Sequence, residues 1–269
     1  MSFKKRIVGV IGLGHVGAHV AFNLGVLGIA DEVKLCDVNH DKLVSERQDF
    51  MDAVMFMPHR VNYTIASYEE LADCDVIVNA IGDIKLCASG NRDDEMHFTV
   101  PQVADYIPKV MAGGFKGIII NITNPCDVIT DLIAKKSGLP KGHVFGTGTG
   151  LDSSRLVSAI SQQTGLDHHS FSAYMMGEHG NSQIVPWSLI HFGGKPLAEL
   201  EENPNYVFDK DKVQEQTIKA GWVTYSGKGC TEYGISMTGA TMVRAVLRDE
   251  RKIMAASAPL DGEYSEKGI

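Results

Sequence analysis

A chain of 269 residues, 44% hydrophobic and 22% charged, has room for two ordinary domains with a substantial core, which excludes the disordered and fibrous classes. A formal net charge of -8 with no block of Lys or Arg argues against a nucleic-acid partner, so any small anion must be met by a local arrangement. Five cysteines (36, 74, 87, 126 and 230), an odd number with no C-x-x-C pair, suggest neither a disulfide framework nor a metal site, and a reducing cytoplasm is the expected location.

The first element raises the question of a membrane. IVGVIGLGHVGAHVAFNLGVLGIA, residues 7 to 30, contains no Asp, Glu, Lys or Arg, is long enough to span a bilayer, and follows Lys4, Lys5 and Arg6 in the manner of a secretory signal. Its glycines at 9, 12, 14, 17, 25 and 28, with His15, His19 and Asn23 among them, suit neither. IVGVI instead reads as a buried strand, and Val16, Val20, Leu24 and Leu27 recur at helical spacing after the glycines.

The alternation continues. VKLCD (33 to 37) is a second strand, residues 41 to 57 carry helical spacing, and a strand is expected near YTIA. DVIVNAIG (75 to 82) and GIIINIT (117 to 123) are near-continuous apolar runs, separated by a polar loop through Asp94 and a helix around Val100 to Met111. A helix over 128 to 136 and a short strand in HVFGTGTGLD lead into another helix near Asp152. This order predicts an α/β fold: a Rossmann-type, doubly wound parallel sheet over residues 1 to 147, covered on both faces. Beyond the Gly-Thr repeat the texture changes. SFSAYMMGEHG, SQIVPWSLIHF and KPLAEL suggest short strands, followed by helices over 211 to 225 and 233 to 251, so 148 to 269 is read as a C-terminal α+β domain.

Gly12, Gly14 and Gly17 form G-x-G-x-x-G between the first strand and first helix, and Asp37 ends the second strand about 20 residues later. The first glycine permits a tight turn, the second lets a pyrophosphate approach the backbone, and the third allows close helix packing. Asp37 can accept hydrogen bonds from an adenine-side ribose and would repel a 2′-phosphate, which favours NAD over NADP.

Three further stretches, GTGTGLDSSRL (146 to 156), GEHGNS (177 to 182) and ITNPCDV (122 to 128), together resemble the L-lactate and malate dehydrogenase family, most closely its L-2-hydroxyisocaproate dehydrogenase branch. That resemblance runs from about Arg6 to the end. It implies that His179 donates the proton when a 2-oxo acid is reduced, that Asp152 orients its imidazole, and that Arg155 clamps the substrate carboxylate. It further implies that Arg92 lies in a lid closing over the substrate, and that Asn124 touches substrate oxygen and nicotinamide ribose. Val16, Gly82, Thr123 and Thr147 match cofactor-lining positions, and Thr231 is expected to border the substrate side chain. The competing assignments are a helix cap for Asp152 and a solvated charge cluster for Arg92 with Asp93 and Asp94.

Malate dehydrogenases carry a second arginine in the lid and lactate dehydrogenases a glutamine. In GDIKLCASGNR the corresponding residue is Leu86 or Cys87, neither of them cationic, which points to an aliphatic 2-oxo acid such as 2-oxoisocaproate, with lactate and malate as alternatives and Lys85 as a complication. Asn181 adds weight, since the other branches generally carry aspartate there. The remaining rivals are a catalytically idle NAD-binding regulator and an NAD-dependent glycosidase, which needs a metal cluster not seen in the sequence. Members of the family are homodimers or homotetramers. They continue past GEYSEKGI by a strand pair and a long helix, so a C-terminal tail is expected to be lacking.

Overall fold

The computed structural model describes residues 4 to 83, 86 and 93 to 268. Six strands form one sheet: β1 (Ile7–Ile11), β2 (Glu32–Cys36), β3 (Asn62–Ile65), β4 (Val76–Asn79), β5 (Ile118–Asn121) and β6 (Val144–Gly146). All pair in parallel in the order β3-β2-β1-β4-β5-β6. β4 is buried at every position, and Val8, Val10, Val33 and Leu35 are also fully buried, as expected for strands covered on both faces.

The helices between them are α1 (His15–Val26), α2 (His40–Ala53), α3 (Asp93–Ala112) and α4 (Cys126–Ser137). α1 buries Val20, Ala21 and Leu24. α3 and α4 pack together over a cluster that includes Val103, Tyr106, Ile107, Ile129 and Ile133. Strand order reverses between β1 and β4, so the connections leaving their carboxyl ends run in opposite directions along the sheet, the place where a dinucleotide sits in such folds.

The helix after residue 93 begins earlier than its apolar spacing predicts and runs through Pro101 and Pro108. Each proline removes one backbone donor, a loss that burial of Val103, Tyr106, Ile107 and Val110 outweighs. α2 stops at Ala53 and gives way to a single tight turn over 54 to 56, short of the predicted end at 57.

The second compact unit comprises residues 148 to 231 with 253 to 256. It holds α5 (Gly150–Thr164), α6 (Leu197–Glu201) and α7 (Lys210–Lys228), with α7 packed on α5. Its core gathers Leu156, Ile160, Met175, Ile190, Leu197 and Val213. The strands predicted here shrink to three antiparallel pairs of residues, β7 (Phe171–Ser172), β8 (His191–Phe192) and β9 (Lys195–Pro196), plus an isolated bridge between Met176 and Ile184. Gly177, Gly193 and Gly194 have positive φ, and Pro186 and Pro196 lack donors, so the ladders cannot extend.

Residues 232 to 252 and 257 to 269 return to the first unit, whereas the sequence division places all of 148 to 269 in the second. The reason is α8 (Tyr233–Leu247), which packs along α1. Buried Ser236 accepts from Asn23 Nδ2 at 3.1 Å, and Gly239 comes so close to the sheet that a Cβ there would lie 2.7 Å from Ile122 Cδ1. α8 ends at Leu247 rather than at the predicted Arg251, where Asp249 and Arg251 adopt positive φ. Among the described residues no helix is long and apolar enough to cross a membrane.

Candidate active site

The glycine turn has the shape its spacing predicts. Gly12 has φ +88, and a Cβ there would lie 2.8 Å from the Ala80 carbonyl at the end of β4. At Gly17 a Cβ would stand 1.8 Å from Gly12 O, so only glycine lets α1 start against the turn. Gly14, the N-cap of α1, faces open space within 4 Å and makes no side-chain cap, and no acidic residue lies in the first helical turn. The first-turn amides are therefore left to an anion.

Asp37 closes this turn from β2. Its Oδ2 accepts from Leu13 N at 2.6 Å and its Oδ1 from Asn39 N at 2.8 Å. A carboxylate oxygen accepts two bonds, so each retains one acceptor position for a ribose hydroxyl. An uncapped helix end, a space a Cβ would occupy and an acidic acceptor at the second strand together fit NAD.

The other positions expected to line the cofactor lie after β4, β5 and β6 and in the first turn of α1. Gly82 is exposed beyond β4, and Val16 is half-buried in the first turn of α1. Thr123, buried, donates from Oγ1 to Ile81 O at 2.7 Å. Thr147, also buried, donates its N–H to Asn121 O at 2.8 Å. Asn124 follows Thr123 and forms a cis peptide bond with Pro125; its carbonyl accepts from Thr99 Oγ1 at 3.0 Å.

Within the second unit, Asp152, Arg155 and His179 meet. Asp152 sits in the first turn of α5 with 1% of its side chain exposed. Its Oδ2 lies 2.6 Å from His179 Nδ1 and its Oδ1 accepts from Arg155 Nη1 at 2.9 Å. Asp152 does not cap α5; the N-cap is Thr149. Burial pushes the Asp152 carboxyl upward, but hydrogen bonds and charge from His179 and Arg155 outweigh it and hold the group below the ordinary aspartate range. A carboxylate only accepts, so Nδ1 carries the proton in this bond.

Local stitching holds the pair in register. Thr149 Oγ1 donates to Met175 O at 2.7 Å, and Met175 N donates to Ser153 Oγ at 2.9 Å, tying the start of α5 to the segment entering GEHGNS. The Met176–Ile184 bridge closes that loop, and Gln183 Nε2 reaches back to Gly180 O at 2.8 Å. Thr231 is half-buried and ends the segment that follows α7 in the chain.

Arg92 and Cys87 lie outside the described residues; Leu86 is described, 36% exposed, and donates its N–H to Asp83 O. Two features escaped the sequence reading. A Cβ at Gly221 on α7 would lie 3.4 Å from the Arg155 guanidinium. Asn79 and Asn121, both fully buried, face each other at the ends of β4 and β5. Their signal was an Asn at the close of each apolar run, VIVN and IIIN.

The NAD-binding domain model of lactate/malate dehydrogenases matches residues 6–146, and the α/β C-terminal domain model matches 149–269. An L-lactate dehydrogenase of Fusobacterium nucleatum is 37% identical over 99% of this chain and 84% of its own length. L-lactate dehydrogenase 3 of Bacillus cereus is 38% identical over 100% of this chain and 86% of its own. Among solved structures, the ligand-bound minor L-lactate dehydrogenase of Enterococcus mundtii superposes with a TM-score of 0.92 at 32% identity, covering 98% of this chain and 84% of that one.

The glycine geometry separates two variants. Gly14→Ala is expected to leave thermal stability near wild type, since its methyl meets nothing, while weakening NADH binding because the methyl enters the anion's place. Gly17→Ala, forced against Gly12 O, is expected to lose both, with stability falling by about 1–3 kcal/mol. Melting curves and NADH fluorescence titration check this; a Gly14→Ala variant with unimpaired binding contradicts the anion site.

Asp152 supplies a pH test. A carboxylate held below its unfolded value contributes stability that is present above about pH 4 and is lost as pH falls through the folded value. The difference in unfolding free energy between wild type and Asp152→Asn is therefore expected to shrink on acidification below about pH 4. A gap that stays constant down to about pH 2 would show that the carboxylate charge contributes nothing.

Proposed function

The chain belongs to the lactate/malate dehydrogenase family, and from that premise we propose that this NAD-dependent oxidoreductase of 2-hydroxy acids interconverts L-lactate and pyruvate. The observation that carries the reading is Asp152 with His179 on one oxygen and Arg155 on the other. A proton-exchanging imidazole beside a guanidinium is what reduction of an anionic keto acid requires.

NADH, when bound, supplies the hydride to the carbonyl carbon. Arg155 clamps the substrate carboxylate through paired N–H groups. His179 gives its Nε2 proton to the carbonyl oxygen and is left neutral. Asp152 keeps Nδ1 protonated and the imidazole ring oriented throughout. With the imidazolium the trio carries a net +1 charge, and after proton transfer it is neutral. The keto acid is thus held by the protonated form and the hydroxy acid by the neutral one.

By resemblance, Asn124 touches the substrate oxygen, Arg92 polarises the carbonyl from the lid, and Thr231 borders the substrate side chain. The His179–Asp152 pairing disfavours an idle NAD-binding regulator. Malate is disfavoured because Leu86 and Cys87 offer no cation to its second carboxylate. We place the protein in the cytoplasm as a homodimer or homotetramer, in keeping with its family and with four buried, unbridged cysteines among the described residues.

A second reading, reduction of a branched aliphatic keto acid such as 2-oxoisocaproate, has one observation in its favour: bare backbone at Gly221 beside Arg155. The comparisons favour lactate.

Rates of NADH oxidation with pyruvate, 2-oxoisocaproate and oxaloacetate, measured separately, test the assignment. Pyruvate is expected to give the highest kcat/KM, and His179→Ala to lower turnover by roughly 10²–10⁴-fold while NADH still binds. Wild-type turnover in that variant would remove the imidazole from the mechanism. Gly221→Ala is expected to lower kcat/KM for 2-oxoisocaproate roughly tenfold more than for pyruvate. An equal effect on both would detach Gly221 from the side-chain pocket.

A further inference from the structure

Asn79 and Asn121 close the apolar strands β4 and β5 at positions that are cross-strand partners, and both are fully buried. The row they share continues to Ile11 on β1 and Gly146 on β6. Two carboxamides in the midst of an apolar row demand a reason.

The Asn121 side chain has its full hydrogen-bonding capacity engaged. Its Oδ1 accepts from Asn79 Nδ2 at 2.8 Å and from Thr123 N at 3.1 Å. Its Nδ2 donates to Thr123 O, Cys126 O and Thr130 Oγ1, each at 3.1 Å. Turning the carboxamide over would set donor against donor at both Asn79 and Thr123, so its orientation is fixed. Thr123 is thereby gripped at both backbone polar atoms, and Cys126 is held three residues later. Between them lies Asn124.

Gly146 completes the arrangement. A Cβ there would come within 2.4 Å of Thr130 Oγ1 and 2.7 Å of Cys126 Sγ, so the glycine makes room for the two groups that Asn121 engages from α4.

The pair carries one cost. Among the described residues Asn79 Oδ1 is buried with no hydrogen-bond partner, and its orientation is set by the bond its Nδ2 makes. An orphaned buried acceptor is a cost that two aliphatic side chains would avoid. What the carboxamides provide and aliphatic groups cannot is a directional hold on the 123–126 turn.

We infer that Asn121, braced by Asn79, is a positioning residue that fixes the Thr123–Asn124 turn for keto-acid reduction. The inference rests on the functional reading above, through the role given to Asn124. Its hold is local to this turn. The glycine turn and Asp37, which meet the other half of the dinucleotide, are built from different hydrogen bonds.

The test compares wild type, Asn121→Leu, Asn79→Leu/Asn121→Leu and Thr130→Val, reading kcat/KM for pyruvate, the Kd of NADH by fluorescence titration, and Tm. Asn121→Leu is expected to lose at least roughly tenfold in kcat/KM with NADH Kd changed by less than about threefold. The double variant is expected to recover Tm relative to the single one, because the Asn79 amide is no longer buried against an apolar group, without recovering kcat/KM. Thr130→Val, which removes one acceptor of Asn121 Nδ2 together with the bond Thr130 Oγ1 donates to Cys126 O, is expected to lose roughly two- to fivefold in kcat/KM and decides the matter if neither leucine variant folds. Loss of NADH affinity in step with kcat/KM, recovery of kcat/KM together with Tm, or unchanged kcat/KM in the variants that fold would each overturn the inference. A wild type that reduces none of pyruvate, 2-oxoisocaproate and oxaloacetate overturns the functional reading and the inference with it. An active wild type with equally active variants overturns the inference alone.

Discussion

A carboxylate with almost none of its surface exposed stays ionised only if positive groups replace the water it has lost. Asp152 meets that condition by placing an imidazole on one oxygen and a guanidinium on the other. Burial raises its proton affinity more than any single partner lowers it, yet the partners together prevail. The balance works in both directions. The carboxylate sets the His179 tautomer and holds one edge of Arg155, so an imidazole and a guanidinium are placed by one anion. Removing the anion would take from the imidazole and the guanidinium the bonds that join them through Asp152.

Placement of that carboxylate is a matter of helix geometry. Asp152 and Arg155 are three residues apart on α5 and so share a face, and the first turn of a helix favours a negative side chain. His179 comes from a loop, which has less intrinsic order. Here the loop is tied at its base by the Met176–Ile184 bridge and internally by Gln183, while Thr149 and Ser153 stitch its approach to α5. A short, locally bonded loop on a packed helix gives the precision that a loop alone would lack.

Much of this was legible because the physics is local. The glycine spacing, the acid at the end of β2, the Asp152–Arg155 offset and the buried apolar strands each depend on a few consecutive residues, and all were readable in order. The rest depends on tertiary contact. Nothing in the composition of 233 to 247 says that this helix returns to α1; the docking of Ser236 on Asn23 and the closeness of Gly239 to Ile122 decide it. Pro101 and Pro108 read as breakers, and only burial of the surrounding α3 side chains overrules them. The short strands of the second unit look longer in sequence because alternation is visible there while positive φ at Gly177, Gly193 and Gly194 is not. The Asn79–Asn121 pair needed strand register before two isolated asparagines became one feature.

The polar groups of this protein divide by how they meet charge. An acidic chain of net charge -8 has to attract anions without a basic surface, and it does so with neutral or compensated devices. At the start of α1 the attraction comes from uncapped amides, which carry no formal charge and act only within hydrogen-bonding range. In the second unit an imidazole and a guanidinium share one buried carboxylate, so the arginine charge there is compensated. Either device is strong only for an anion already in place. Net charge acts on every anion alike at long range, so discrimination among small anions rests on these short-range contacts.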